Sequence, residues 1–390
     1  MSISSLQQQV EEAFDQRFSG EPWRVFQAPG RVNLIGEHTD YNEGFVLPVA
    51  IDRQVMLAAR ARADRCVRLW SVSFQQDSEF DLDDIAHDLA APWSNYVRGV
   101  AWALQQQGTT LRGMDAVIAG NVPIGSGLSS SAAIEVATAV TFRALSELDI
   151  APVRLALLCQ QAENEFVGMK CGIMDQFIAM LGQRGHALWI DCRSLECQAV
   201  PLPADVSVII CDTKKRRGLV DSEYNLRRQQ CEQGVALLQP FLPQVKALRD
   251  VTSAELDEYG HLLPPVVRRR CAHVVSEDER VMLAVAALRA GAVGEVGRLM
   301  DLSHSSLRDD YEVSCDQLDI MVEAARGVSG CLGARMTGAG FGGCTVNLVR
   351  AKVAGRFARQ VAERYEGETG LEPEVYICTA SAGAGELSLS

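Results

Sequence analysis

The chain has 390 residues, 47% of them hydrophobic and 22% charged, with 50 acidic against 37 basic side chains and a formal net charge of -13. That length suits two domains of ordinary size, and the composition is that of a folded globular protein. The negative balance argues against broad binding to nucleic acid or to an anionic membrane surface, yet leaves room for a phosphate ligand held by a local positive field and a metal.

No apolar run approaches the length of a membrane span, and the opening stretch MSISSLQQQVEE has neither the basic flank nor the apolar core of a signal peptide. The 12 cysteines are scattered without C-x-x-C pairs. They predict buried thiols in a reducing compartment, hence a cytoplasmic protein, and argue against structural zinc.

In chain order, Leu6, Val10, Phe14 and Phe18 recur near every fourth position and predict an amphipathic helix over 6–18, followed by a strand over 23–28. Residues 31–48, RVNLIGEHTDYNEGFVLP, set strand-like pieces around a dense polar cluster, which is either a solvated turn or a ligand-reading segment on a rigid support. Strands are expected at 54–59, 66–72 and 113–119, with a helix over 95–106 that Gly108 helps to end. The segment GNVPIGSGLSSSAA, 120–133, then leads into helices at 132–145 and, from Pro152, to about residue 167. GMKCGIMD, 168–175, interrupts the pattern before an apolar stretch through Met180.

Strands follow at 188–190 and 206–211, with Pro201 and Pro203 between them marking a domain boundary near 200. The basic run 214–217 reads as a solvated face, and helix resumes near Ser222. Prolines 240, 243, 264 and 265 bracket a connecting region with a short helix, where Thr252 and Glu255 have capping-box spacing. Helices at 267–290, 294–302 and 312–325 precede a second glycine-rich region at 327–343, a strand at 344–349, a helix at 351–365 and a strand at 375–378. Short strands followed by long helices, without an internal repeat, indicate an α+β protein, and glycine-rich loops in opposite halves predict a cleft between domains.

The 120–133 loop lacks the lysine of a P-loop and the order of a dinucleotide fingerprint. Phosphate would have to be held by backbone N–H groups, a helix dipole, serine hydroxyls and a metal; the alternative is a glycine-rich connector with a serine cap. Ser129 or Ser130 could supply a hydroxyl to Mg2+, with Glu163 as its carboxylate, the alternative being an exposed helical glutamate. Arg31, beside Val32 and Leu34, needs a partner, and Asp175 could provide it, either in a plain ion pair or beside a phosphoryl acceptor. Glu37, His38 and Asp40 suit the hydroxyls of a sugar, and EHTD lacks zinc-site spacing.

GRVNLIGEHTDYNEG at 30–44, GLSSSAA at 127–133, CGIMDQ at 171–176 and GAGFGG at 338–343 together resemble the galactokinase family, within the superfamily that also holds homoserine, mevalonate and phosphomevalonate kinases. The two loop motifs mark mainly the superfamily, whereas the first motif is far more specific. The resemblance implies a ribosomal-protein-S5-like N-terminal domain (1–200) for sugar recognition and ATP phosphates. It also implies a ferredoxin-like C-terminal domain (201–390) that completes an interdomain site.

The implied reaction is ATP- and Mg2+-dependent phosphorylation of α-D-galactose at O1. Arg31 and Asp175 match the catalytic pair, Asp175 drawing the proton from the anomeric hydroxyl. Glu37, His38, Asp40, Gly172, Tyr224 and Asp175 match sugar contacts. Gly125, Ser126, Gly127, Leu128, Ser129, Ser130 and Ser131 match the phosphate loop, Ser129 or Ser130 with Glu163 the magnesium environment, and Trp93 and Asn95 the approach to the nucleobase. The 338–343 loop matches a segment that helps close the site. A monomer without an obligate protein partner is expected. Alternatives are a sugar-1-kinase for N-acetylgalactosamine, arabinose or galacturonate, and a non-catalytic galactose sensor, against which the intact 129–133 segment and Asp175 argue.

Overall fold

The computed structural model describes residues 3–18, 23–215 and 220–387. Alternation along strands Arg24–Asn33, Pro48–Ala61 and Met114–Gly120 sends successive side chains to opposite faces of one sheet. Val25, Met56, Ala58, Val117 and Ala119 pack beneath the helix Ile3–Arg17 through Leu6, Val10 and Phe14. Phe26, Leu57, Ala59, Ala116 and Ile118 join the main core on the other face, under helices Asn95–Gln106, Ser130–Leu145, Pro152–Gln161 and Met174–Leu181.

The six-stranded order is Gly385–Leu387, Arg24–Asn33, Pro48–Ala61, Met114–Gly120, Cys66–Ser71, Gln76–Asp81. Met114–Gly120 and Cys66–Ser71 are parallel, and the other neighbours are antiparallel.

A second, antiparallel sheet runs Cys331–Thr337, Cys344–Arg350, Val206–Asp212, Glu374–Cys378. With helices Asp316–Arg326 and Ala354–Thr369 it forms a β-α-β-β-α-β unit of ferredoxin-like order. Helices Val220–Leu238, Ser253–Tyr259, Pro265–Arg289 and Val293–Asp309 are inserted into its first crossover. The architecture is thus α+β in two domains. Near residue 200, Cys197–Pro201 lies in a three-stranded sheet with Phe45–Val46 and His186–Asp191, and Val206–Asp212 begins the second large sheet. Two features link the parts before and after this point. Gly385–Leu387 returns to the edge of the first sheet, and Val281, Ala284, Val285 and Leu288 of the long helix enter the core shared with that sheet.

Several elements differ from expectation for local reasons. The strand expected to stop at residue 28 continues to Asn33 through a bulge between Pro29 and Arg31, and the one expected at 54–59 begins at Pro48. The helix from Pro152 changes after Gln161 into a π turn, Ala162–Val167, closed by Gly168 at φ 94°. A strand, Cys331–Thr337, lies inside the second glycine-rich region, where Gly333 packs so closely on Gly297 that neither could carry a side chain. The helix expected from 312 begins at Asp316.

The capping box is present: Glu255 N donates to Thr252 Oγ1 (3.2 Å) and Thr252 N to Glu255 Oε2 (2.8 Å). Lys214 Nζ donates to Glu374 (2.7 Å) and Asp212 (3.1 Å), while Arg216 and Arg217 lie outside the described residues. No described helix is long and apolar enough to cross a membrane.

Candidate active site

A cleft of about 880 Å³ opens where the 125–131 loop, the 168–175 turn, the 37–41 loop, the helix Val220–Leu238 and Gly338 converge. Arg31 enters it from the bulged strand, since a bulge redirects a side chain that regular pairing would bury in the sheet. Its Nε donates to Asp175 Oδ1 (2.7 Å), Nη2 to Asp175 Oδ2 (2.6 Å) and Nη1 to Gly127 O (2.6 Å). Burial opposes the guanidinium's charge, but Asp175 more than offsets this and raises its pKa.

The glycine-serine loop is held against the same strand by Arg31 N donating to Leu128 O (3.1 Å). A Cβ on Gly30 would lie 2.7 Å from that oxygen, so glycine permits the approach. Asp175 stands in the first turn of Met174–Leu181, where the helix dipole favours a carboxylate, and is 22% exposed. The Ser129 hydroxyl donates to Asp175 Oδ2. Ser129 is left-handed (φ 58°) and makes no side-chain cap to its helix.

The expected sugar contacts Glu37, His38, Asp40, Gly172 and Tyr224 all line the cleft. Glu37 is buried and accepts from Asn33 Nδ2, Gly338 N and Thr337 Oγ1 (3.2 Å), which ties the two halves together. His38 has φ 64°, its Nδ1 is 2.9 Å from the Tyr41 hydroxyl, and burial drives its pKa well below the usual value, leaving it neutral. Asp40 Oδ1 accepts from Tyr41 N (2.9 Å), and burial, helped by the Asp175 charge, pushes its pKa to about 7. Gly172 abuts the Asp40 carboxylate with no space for a Cβ. The Tyr224 ring packs against Tyr41 (5.1 Å) and His38 (5.7 Å), and burial raises its phenol pKa well above normal.

On the opposite wall, Glu163 occupies the π turn and accepts from Gln176 Nε2 (2.6 Å), Cys171 Sγ (3.2 Å) and the Ser131 hydroxyl. The same Gln176 amide donates to Glu135 (3.1 Å), which is fully buried. Burial raises the pKa of both glutamates, and the Asp175 charge adds to this. Two of the three serines have separate partners, Ser129 facing Asp175 and Ser131 facing Glu163, and Ser130 lines the cleft. Glu163 and Ser130 both line the cleft and offer it oxygen atoms.

Gly125 and Gly127 line the cleft, whereas Ser126 and Leu128 lie beneath the loop: the Ser126 hydroxyl donates to Pro123 O (2.8 Å), and Leu128 is buried. Trp93 and Asn95 do not reach the cleft wall, because their polar atoms are committed elsewhere. Trp93 Nε1 donates to Gln76 Oε1 (3.1 Å) and its ring stacks on Phe74. Asn95 Nδ2 donates to Asp88 O (3.1 Å) and its Oδ1 accepts from Asp88 N (2.8 Å). Tyr96, the next residue, does line the cleft. Sequence reasoning also passed over Glu135 and Gln176. The signal for Glu135 was available, since it shares an apolar helical stripe with Ala132, Val136 and Ala139.

Three family descriptions match in order: a galactokinase galactose-binding signature at 12–61, the GHMP kinases N-terminal domain at 95–183 and the GHMP kinases C-terminal region at 284–367. Galactokinase of Chloroflexus aggregans is 52% identical over 371 residues, 95% of each chain, and that of Roseiflexus sp. is 50% identical over 379 residues, 97% of each. The crystal structure of Lactococcus lactis galactokinase complexed with galactose superposes with a TM-score of 0.94 at 36% identity, covering 98% of this chain and 100% of that one. Mevalonate kinase of Methanococcus jannaschii, at 18% identity and a TM-score of 0.65, shares the fold over 92% of this chain and 99% of its own. With half its residues shared along nearly its whole length, this chain belongs to the galactokinase family, within the GHMP kinases.

Proposed function

We propose that this chain transfers the γ-phosphoryl group of ATP to O1 of α-D-galactose, giving α-D-galactose 1-phosphate and ADP. The observation that carries this reading is the bidentate Arg31–Asp175 pair, with the Ser129 hydroxyl on the same carboxylate, between a phosphate-loop candidate and a hydroxyl-reading wall. Asp175, fixed by these donors, accepts the hydrogen bond of the O1 hydroxyl and takes its proton as the O1–phosphorus bond forms and the bond to ADP breaks. A loose phosphoryl-transfer transition state asks for alignment and charge compensation more than for a strong base. Arg31 holds the carboxylate's orientation and adds positive charge beside the transferring group.

The first turn of Ser130–Leu145 offers free backbone N–H groups to the phosphates. Glu163 and Ser130 would hold Mg2+, which supplies charge neutralisation of the β- and γ-phosphate oxygens. Glu37, His38, Asp40 and Tyr224 present acceptors, donors and a ring face to the sugar, and the missing side chain at Gly172 leaves Asp40 its space. We read the enzyme as a monomer in the cytoplasm: one chain lines the cleft, and the 12 cysteines are free thiols.

The test is ADP release across a panel of galactose, N-acetylgalactosamine, arabinose and galacturonate, with and without Mg2+, and phosphorus NMR of the product. Magnesium-dependent turnover favouring galactose, with phosphate on O1, is expected. Binding of galactose without turnover of any sugar would refute the catalytic reading in favour of a sensor.

A further inference from the structure

The helix Pro265–Arg289 lends no side chain to the cleft lining, yet its buried face grips the loop that carries Glu37, His38 and Asp40. Glu277 and His273 are both fully buried. Glu277 Oε1 accepts from Gly36 N (2.9 Å), Glu37 N (3.3 Å) and Ser303 Oγ (2.6 Å), and its Oε2 accepts from Arg280 Nε (2.7 Å). Burial alone would neutralise this carboxyl, but Arg280, with Arg335, holds it ionised, well below the usual range. His273 Nε2 lies 3.1 Å from Glu37 O, which can only accept, so that nitrogen carries the proton; Nδ1 is 3.0 Å from Ser306 Oγ.

The N–H and the carbonyl of Glu37 are therefore both held by one helix. Gly36, at φ 96°, makes this close contact possible: a Cβ there would lie 2.6 Å from Phe45 O and 2.9 Å from Val281 Cγ2. Residues 273 and 277 lie outside all three matched family segments.

We propose that Glu277 and His273 are positioning residues for the sugar, fixing the Glu37 backbone so that the side chains of Glu37, His38 and Asp40 meet the substrate hydroxyls in register. The inference rests on the reading of this loop as the galactose-binding wall. It makes sugar affinity a property of the seam between the two halves, whereas the nucleotide wall, built on 125–131 and Glu163, is independent of these two side chains.

The test is calorimetric binding of galactose, and separately of a non-hydrolysable ATP analogue with Mg2+, to wild type, Glu277→Gln, His273→Phe and His273→Gln, with thermal melts to verify folding. Loss of one such buried hydrogen bond is expected to raise the galactose Kd about tenfold in Glu277→Gln and His273→Phe. The analogue's Kd should stay within about twofold, and His273→Gln, which restores an N–H donor, should recover most of the loss. Should either variant fail to fold, Ser303→Ala removes one donor to Glu277 and should give a smaller shift of the same kind. An unchanged galactose Kd, or equal loss for sugar and nucleotide, overturns the positioning role. A wild-type enzyme that binds no galactose defeats the functional reading beneath it.

Discussion

Asp278, one residue beyond Glu277, gives a stability prediction with a definite sign. Its Oδ1 accepts from Phe45 N (2.8 Å), its Oδ2 is buried without a partner, and Gly44 packs directly on the carboxyl. Burial, reinforced by the Glu277 charge and opposed by the Phe45 N–H, pushes its pKa from 3.8 to about 7. A carboxyl with a raised native pKa binds its proton more tightly folded than unfolded. Its stabilising effect is therefore complete below the unfolded pKa and is lost as pH rises through the folded value. Taking 1.36 kcal/mol per pH unit across that window, the decline reaches at most about 4 kcal/mol.

Asp278→Asn keeps an acceptor for Phe45 and removes the titration, at a cost of about 1 kcal/mol for a poorly satisfied amide N–H. Urea unfolding of both proteins at pH 5.0 and 8.5 tests this. By pH 5.0 the wild type has already lost about 1.6 kcal/mol of that stabilisation, so the variant should equal it or be slightly more stable there, and should be more stable by up to about 3 kcal/mol at pH 8.5. Asp40, whose pKa is also near 7, is common to both proteins and cancels in the difference. A stability difference independent of pH would refute the reasoning.

Asp175→Asn should lower kcat by about 10²- to 10⁴-fold while galactose still binds, measured by ADP release and calorimetry; normal turnover would remove Asp175 from the chemistry. Glu163→Gln should raise the Mg2+ concentration for half-maximal activity by at least about tenfold, and weaken Mn2+ binding followed by electron paramagnetic resonance to match. Gly172→Ala should abolish high-affinity galactose binding with a small change in melting temperature, because its Cβ would collide with the Asp40 carboxylate.

Much of the fold follows from local rules, and the departures have identifiable causes. Strand Arg24–Asn33 outran its expected end because a Pro-Gly pair reads as a stop, whereas here it sits in a bulge that strand pairing on both sides supports. The π turn at Glu163 leaves little trace in a hydrophobic period, since it adds only one residue to a turn. Strand Cys331–Thr337 was hidden by Gly333 and the glycines on either side of it; the reason for Gly333 is the helix backbone at Gly297, distant in sequence.

That Glu37, His38, Asp40 and Gly172 would share a cleft with the Arg31–Asp175 pair was legible because these residues cluster in short motifs. Trp93 and Asn95, expected near the nucleobase, do not line the cleft, and their sequence neighbourhood does not reveal that Gln76 and Asp88 hold their polar groups. Glu277, on an apolar stripe with Val274, Val281 and Val285, carried a signal of its own: a carboxylate on a core face must have partners.

The strand Gly385–Leu387 has a consequence for biosynthesis. It completes the edge of the sheet that bears Arg31, and Glu386 pairs there with Arg24, 362 positions earlier. During synthesis at about 5–20 residues per second, the N-terminal half waits tens of seconds with that edge open. An unpaired strand edge is a template for another chain. Nascent or truncated enzyme lacking residues 385–387 should therefore be the form that chaperones engage and that aggregates, even though every cleft residue is already present.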